Sequence, residues 1–283
     1  RDRGEIPLIR QSVQMWAKMA EEIGADVGWA RSGVLFVSDD EAKLAEWERW
    51  ANHAGTHQVH SHMLGSAEVA ALLPGSSRQW RGGMHTPSDG RAEPSKAVPA
   101  IAAAARRHGA TIHQGCAARG LETEAGAVAM VVTEKGTIRT RTVLCAGGAW
   151  TTMFCRRHGI RLPQLAVRAS VLQTTALPEV AGPNLATPGF SCRRTQDGGY
   201  IVAMSSTGTF PITPDAFRYL ADFWPTFRER REKLKLRIAP DFIGRLLSSN
   251  RWALDKASPF EAVRVLDPMP DQALLEDGLG RFM

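Results

Sequence analysis

Thr142-Val143-Leu144-Cys145-Ala146-Gly147-Gly148-Ala149-Trp150-Thr151 decides how the rest of the chain is read. A short apolar run delivers the backbone to four small residues, Ala146 to Ala149, and a helix-like stretch follows from Thr151. A strand, a tight turn and a helix start in that order let main-chain N–H groups approach an anion closely, because no large side chain intervenes. Glycines also serve a purely steric role where a buried strand end turns into a helix. The surrounding sequence has to separate the two readings.

Upstream, residues 128–132 and 137–143 predict a hairpin around Glu134-Lys135-Gly136. Before it, Gly109-Ala110-Thr111-Ile112-His113-Gln114-Gly115 predicts a return strand after an alanine-rich helix over 95–107. The block Trp80-Arg81-Gly82-Gly83-Met84-His85-Thr86-Pro87-Ser88-Asp89-Gly90-Arg91-Ala92-Glu93-Pro94 reads as an extended piece, a turn at 87–90 and a helix entry. His85, Asp89, Arg91 and Glu93 either line a cleft or act locally, with Asp89 in the turn and Arg91 paired to Glu93. In the first eighty residues, Ile9, Val13, Trp16, Met19, Ala20 and Ile23 recur at spacings of three and four, predicting a helix over 8–23 that Gly24 stops. A short strand at 34–37 and a helix capped by Asp39 or Asp40 follow, with Trp47 and Trp50 as core. Ser66 starts a further short helix that Pro74-Gly75 ends.

Downstream, a helix is expected over 151–158 and a strand over 165–175, interrupted by Arg168 and Ser170. Arg193-Arg194-Thr195-Gln196-Asp197-Gly198-Gly199-Tyr200-Ile201-Val202-Ala203 is a hairpin signal with its turn at Asp197-Gly198. Residues 214–231 predict one helix with Phe217, Leu220, Phe223, Trp224 and Phe227 on an aromatic face, packed on a sheet. Residues 251–270 are weakly patterned and carry Pro259, Pro268 and Pro270.

The 283 residues, 43% hydrophobic and 23% charged, describe a folded globular chain rather than a disordered one. The formal charge of +6 suits an anionic ligand. It does not call for nucleic acid: the run Arg228, Arg230, Arg231, Lys233, Lys235 and Arg237 is interrupted by Glu229 and Glu232 and reads as a solvated helix end. Cys116, Cys145, Cys155 and Cys192 show no paired spacing, so a reduced cytoplasmic chain without zinc is expected, with Cys145 as apolar packing. His53, His57, His60 and His62 lack a ligand pattern with an acidic partner, so no metal is expected. No run of 18 apolar residues is present, so no membrane span is expected. No serine, cysteine or carboxylate constellation argues for hydrolysis, and no side chain is assigned as catalytic.

The blocks 82–94, 109–112, 131–138 and Cys145-Ala146-Gly147-Gly148-Ala149-Trp150 together resemble the FAD-dependent oxidoreductases of the D-amino acid oxidase, glycine oxidase and sarcosine oxidase superfamily. The resemblance runs over almost the entire chain. It implies an α+β fold: an α/β cofactor layer plus a mixed sheet, forming an incomplete flavin-binding Rossmann-like domain with an antiparallel substrate-binding sheet domain. The expected blocks are 1–80, helical and substrate-domain elements; 81–160, the partial FAD-binding domain with a meander crossover; 161–255, the substrate-binding sheet and packing helix; and 256–283, a return toward the flavin domain. By carry-over, Ala118 offers main-chain contacts to adenine, and Ala146, Gly147, Gly148, Ala149 and Trp150 lie along the diphosphate and flavin.

The implied reaction is hydride transfer from an amino or secondary amino acid, such as a D-amino acid, glycine, sarcosine or a proline-like compound, to FAD. Oxygen or a carrier would then take the electrons. Among polar side chains, His85 and Arg194 are the candidates for substrate binding, with Tyr200 to stack or donate and Arg168 as a structural pair. The family's Gly-x-Gly-x-x-Gly with its acidic ribose partner, and its closing glycine-rich segment with a substrate-binding arginine, have no match here. The chain therefore reads as the middle of an oxidase or dehydrogenase, a fragment or a site completed by another polypeptide. The alternative is a noncatalytic subunit retaining the scaffold as a binding or assembly surface.

Overall fold

In the computed structural model, which describes residues 3–205, 208–231, 234–240, 242–243 and 252–283, the chain forms two compact units. The first comprises Arg1–Ile112, Ser170–Ser206 and Pro270–Met283, the second His113–Ala169 and Thr207–Met269. These boundaries differ from four consecutive blocks because each unit collects elements from distant parts of the chain.

The first unit is built on a seven-stranded mixed sheet ordered β2-β3-β1-β8-β9-β10-β7. Its strands are β1 (Val34–Ser38), β2 (His62–Gly65), β3 (Gly82–Thr86), β7 (Val171–Gln173), β8 (Asn184–Ala186), β9 (Phe190–Arg194) and β10 (Tyr200–Met204). Only β1 and β8 run parallel; every other neighbouring pair is antiparallel. The register places His85 opposite Leu35, Leu35 beside Leu185, Leu185 opposite Cys192, Cys192 opposite Val202 and Val202 opposite Leu172. Partners across a ladder share a face. That face is the core side, where Leu35, Val37, Tyr200 and Val202 are buried with Val69, Leu73, Trp80 and Ala181. Helix α3 (Ser66–Leu72) and the terminal helix, named α9 here (Gln272–Phe282), supply part of the cover, including Phe282 against Tyr200 at 5.4 Å.

On the opposite face, Trp47 of α2 (Glu41–Gly55) meets Phe36 at 5.8 Å, and Glu93 lies against Arg193. Farther along it, Ser191, Arg193, Ile201 and Ala203 are half-buried and Val171 and Gln173 exposed. Asp40 caps α2, accepting from the Ala42 N–H at 2.8 Å, while Asp39 holds Arg78 and the Arg81 N–H. Helix α1 (Ile6–Ile23) ends at left-handed Gly24, φ 63°, and rests Trp16 on Trp29. Helix α4 (Pro94–Arg107) follows Glu93 as expected.

The second unit contains the meander β4 (Ala118–Glu124), β5 (Ala127–Thr133) and β6 (Gly136–Arg139), with Ala125 and Gly126 both at positive φ in the first turn. It also holds α5 (Thr151–Arg157), the parallel pair β11 (Gly208–Ile212) and β12 (Leu234–Ile238), helices α6 (Pro214–Arg218) and α7 (Leu220–Arg230), and α8 (Pro259–Ala262). Arg119 forks onto Glu261 at 2.8 and 3.0 Å, and Arg264 forks onto Glu134 at 2.8 and 2.6 Å. Trp252 donates to the Arg119 carbonyl at 2.8 Å, so the weakly patterned tail is tied to the meander by specific polar contacts.

Four expectations are corrected. Residues 109–115 form no strand, and 142–146 join no ladder among the described residues; Leu144 is 89% exposed. A strand exists only where a partner satisfies its N–H and C=O groups, and apolar content alone supplies none. The strand over 165–175 shrinks to Val171–Gln173, because the chain passes between units at Ala169 and Ser170. The aromatic helix over 214–231 is two helices, broken where Tyr219 is buried beneath Arg161, and it belongs to the second unit with Phe217 63% and Trp224 49% exposed. Glu232, Lys233 and Arg251 lie outside the described residues.

Candidate functional site

In the second unit, the chain enters the small-residue turn at Ala146 and leaves it through a single 3-10 turn, Gly148–Trp150, into α5. Gly148 adopts φ 55°, a left-handed conformation that a glycine tolerates best. A Cβ placed there would meet nothing within 4 Å, so the glycine is required by its backbone angle rather than by crowding. The carbonyl side is tied down: Trp150 N–H donates to the Gly147 oxygen at 3.0 Å and Gln164 Nε2 to the Gly148 oxygen at 3.2 Å. The N–H groups of Gly148 and Ala149 open a helical turn, where no intrahelical acceptor exists, and Ala146 to Ala149 are exposed. An open edge of main-chain donors fits the diphosphate of FAD.

Ala118 stands at the start of edge strand β4, opposite Thr133 and half-buried. Glu134 fixes the residue before it, accepting from Ala117 N–H at 2.9 Å and donating its own N–H back at 3.0 Å. The Arg264 guanidinium, then the Ala117 N–H, hold the Glu134 carboxyl down at about 2. Glu261 is likewise held at about 2 by Arg119 and the Ser258 N–H. Nearer α5, His158 Nε2 accepts from Leu121 N–H at 3.1 Å, which requires a neutral ring; burial and then Arg157 push its pKa down.

In the first unit, Arg194 and Tyr200 lie opposite each other on the covered face of the sheet. Tyr200 is 1% exposed and its hydroxyl accepts from Val180 N–H at 2.9 Å. Arg194 pairs with Glu179 at 2.5 Å, and its carbonyl takes a bond from Arg91 Nε. His85 sits on the same face but three strands from Arg194 and four from Tyr200, about 14 and about 19 Å by strand spacing. It faces His62 across the ladder; burial first, then the His62 charge, push its pKa down. The structure thus joins Arg194 to Tyr200 and does not join His85 to either. Asp89 serves its turn, accepting from Gly90 N–H at 2.8 Å, and Glu93 pairs with Arg193 rather than Arg91.

The residues missed by sequence reasoning lie on the face away from the core. Arg193, Ile201 and Gln173 stand in one cross-strand row, and Ser191, Ala203 and Val171 in the next. Arg193 forks onto Glu93 at 3.2 Å, and Glu93, 7% exposed, also accepts from Gln196 N–H at 3.3 Å. The register decides between the two arginines: with Arg194 opposite Tyr200, Arg193 points the other way. Among the described residues, no three metal-capable side chains converge and no helix is long and apolar enough to cross a membrane.

The model of the FAD dependent oxidoreductase family matches residues 1–254. Mitochondrial sarcosine dehydrogenase of Mus musculus is 27% identical over 64% of this chain, which spans 21% of that relative. Mitochondrial dimethylglycine dehydrogenase of Homo sapiens is 22% identical over 76% of this chain and 25% of the relative. Among solved structures, L-amino acid deaminase from Proteus vulgaris superposes with TM-score 0.92 at 28% identity, covering 99% of this chain and 66% of that one. Glycine oxidase from Geobacillus kaustophilus shares the fold with TM-score 0.66 at 19% identity, over 85% of this chain and 64% of that one.

Proposed function

The chain belongs to the FAD-dependent oxidoreductase family, and from that premise we propose that it serves the oxidation of an amino or secondary amino acid. Bound FAD would supply the hydride acceptor, taking the hydride from the carbon beside the substrate nitrogen. The residues of this chain bind and orient. Gly148 and Ala149 offer their N–H groups to the diphosphate, with Gly147 and Ala146 giving the clearance and Trp150 starting the helix behind them; Ala118 offers main chain to adenine.

The observation that carries the reading is the face of the sheet away from its core, where polar and apolar side chains alternate between half-buried and exposed. Gln173, Ile201 and the Arg193–Glu93 pair stand in a single row of that face, a polar-rimmed hydrocarbon patch that suits the charged ends of a small amino acid. In this arrangement Arg194 and Tyr200 set the hairpin from beneath, and His85 sets the β2–β3 edge. The relatives point the same way, being a sarcosine dehydrogenase, a dimethylglycine dehydrogenase and an L-amino acid deaminase.

An absorption spectrum of the purified chain, taken with denaturing mass spectrometry and a titration with FAD, tests the proposal. The expected outcome is a flavin spectrum near one FAD per chain, followed by turnover on glycine, sarcosine, proline or D- and L-amino acids. A colourless chain whose spectrum stays that of free FAD during titration would overturn the flavin assignment. It would favour the second reading, a scaffold retained as a binding or assembly surface.

A further inference from the structure

We propose that a cleft in the second unit, between the end of α5 and the break between α6 and α7, binds orthophosphate or a compact phosphate monoester through Arg161, Arg218 and Tyr219. The cleft has a volume of about 250 Å³ and is lined by Arg156, Gly159, Ile160, Arg161, Arg218 and Tyr219, three cations and no acid. Arg156 and Arg218 meet on one oxygen, Oδ1 of Asp215, at 2.6 and 3.0 Å, and Arg156 completes its fork on Oδ2 at 3.2 Å. Arg161 reaches Asp222 at 2.6 Å and lies over the Tyr219 ring, 5.6 Å from its centroid. Two carboxylates thus gather three guanidiniums without lining the cleft themselves, and the cluster keeps one positive charge.

The ion pairs leave donors over. Arg161 and Arg218 each place a single Nη on a carboxylate, and the other Nη and the Nε of both make no hydrogen bond among the described residues. Arg156 Nε is buried with no partner among the described residues. Tyr219 is 2% exposed, and its hydroxyl also makes no hydrogen bond among them. A buried hydroxyl is ordinarily satisfied, so this one asks for a ligand oxygen. Donors from the end of α5 on one side and from Arg218 and Tyr219 on the other suit a tetrahedral anion, whose oxygens point in several directions, better than a planar carboxylate. The volume falls below the roughly 300–1,000 Å³ of a drug-sized pocket, which selects a compact ion. The glycine turn lies at the opposite end of α5, about 10 Å away along its seven residues, so this anion is not the FAD diphosphate.

Isothermal titration of the folded full chain with sodium orthophosphate, at an ionic strength held constant with chloride, tests the site. The expected result is saturable binding of one phosphate per chain. Arg161→Gln with Arg218→Gln should weaken it at least about tenfold, and Tyr219→Phe about fivefold. The two arginine side chains are 62% and 44% exposed, so the double variant keeps its fold, which circular dichroism verifies. Arg161→Lys keeps the charge but loses the fork and should weaken binding as well. Methyl phosphate titrated in parallel separates the two sources: the tighter of the two ligands is the occupant, and either order upholds the site. No saturable binding, equal binding by the double variant, or acetate matching phosphate would overturn it. Phosphate affinity should be unchanged after titration with FAD; competition would place the phosphate at the glycine turn and overturn the cleft.

Discussion

Arg193 and Arg194 are adjacent in sequence and lie on opposite faces of β9, and their environments differ accordingly. Arg193 forks onto Glu93, a carboxylate 7% exposed, whereas Arg194 pairs with a Glu179 side chain that is 55% exposed. Removing the first cation leaves a buried anion without its partner. Arg193→Met is therefore expected to lower unfolding stability by about 3 kcal/mol in urea denaturation. The double variant with Glu93→Gln should recover much of the loss, and no recovery would argue against a coupled pair. Tyr200→Phe removes the acceptor from the buried Val180 N–H, and a loss of ~1–2 kcal/mol is expected with little change in overall structure. At this scale the sequence identified the hairpin and its polar residues. It did not show which of two neighbouring arginines faced the core, because two identical side chains in succession give the alternation no contrast.

At the scale of elements, local chemistry was legible wherever it is self-contained. The spacing of Val13, Trp16 and Ile23, the Gly24 stop, the Asp40 cap and the turn at Asp197-Gly198 each act within a few residues, and each appears as read. Residues 109–115 and 142–146 failed as strands for the opposite reason: a ladder needs a partner that local sequence does not contain. The central pair β1–β3 shows how much such pairing constrains a residue. A Cβ on Gly83 would lie 2.6 Å from the Phe36 carbonyl oxygen and 3.2 Å from Val69 and Leu35 side-chain atoms. Gly83→Ala should therefore cost about 2 kcal/mol by overpacking, measured as a lowered urea midpoint at unchanged slope. A neutral outcome would mean that β1 and β3 separate more easily than their shared core suggests.

For the whole molecule, two discontinuous units mean that one variable can act on them unequally, and acid is that variable. The meander unit holds Glu134 and Glu261, each 12% exposed and each held at about 2 against an ordinary value near 4.5. Such depressed carboxyls contribute stability that is complete above the unfolded value and is lost as pH falls from about 4.5 toward about 2. In the first unit, the shifted carboxyls Asp26, Asp39 and Glu46 are 60%, 41% and 58% exposed and Asp197 is exposed as well, so solvent screens them. His85, whose pKa burial lowers from 6.5, gives the first unit stability that is present above 6.5 and is lost as pH falls from 6.5 through its lowered folded value. Hydrogen exchange corrected for its intrinsic pH dependence should therefore show residues 118–139 losing protection between pH 4.5 and 2, while residues 82–86 and 200–204 retain theirs. Glu134→Gln combined with Glu261→Gln should flatten that dependence at a lower overall protection of the meander. Simultaneous loss in both units would show instead that they unfold as one cooperative body, and the carboxylates would then set the acid limit of the entire chain.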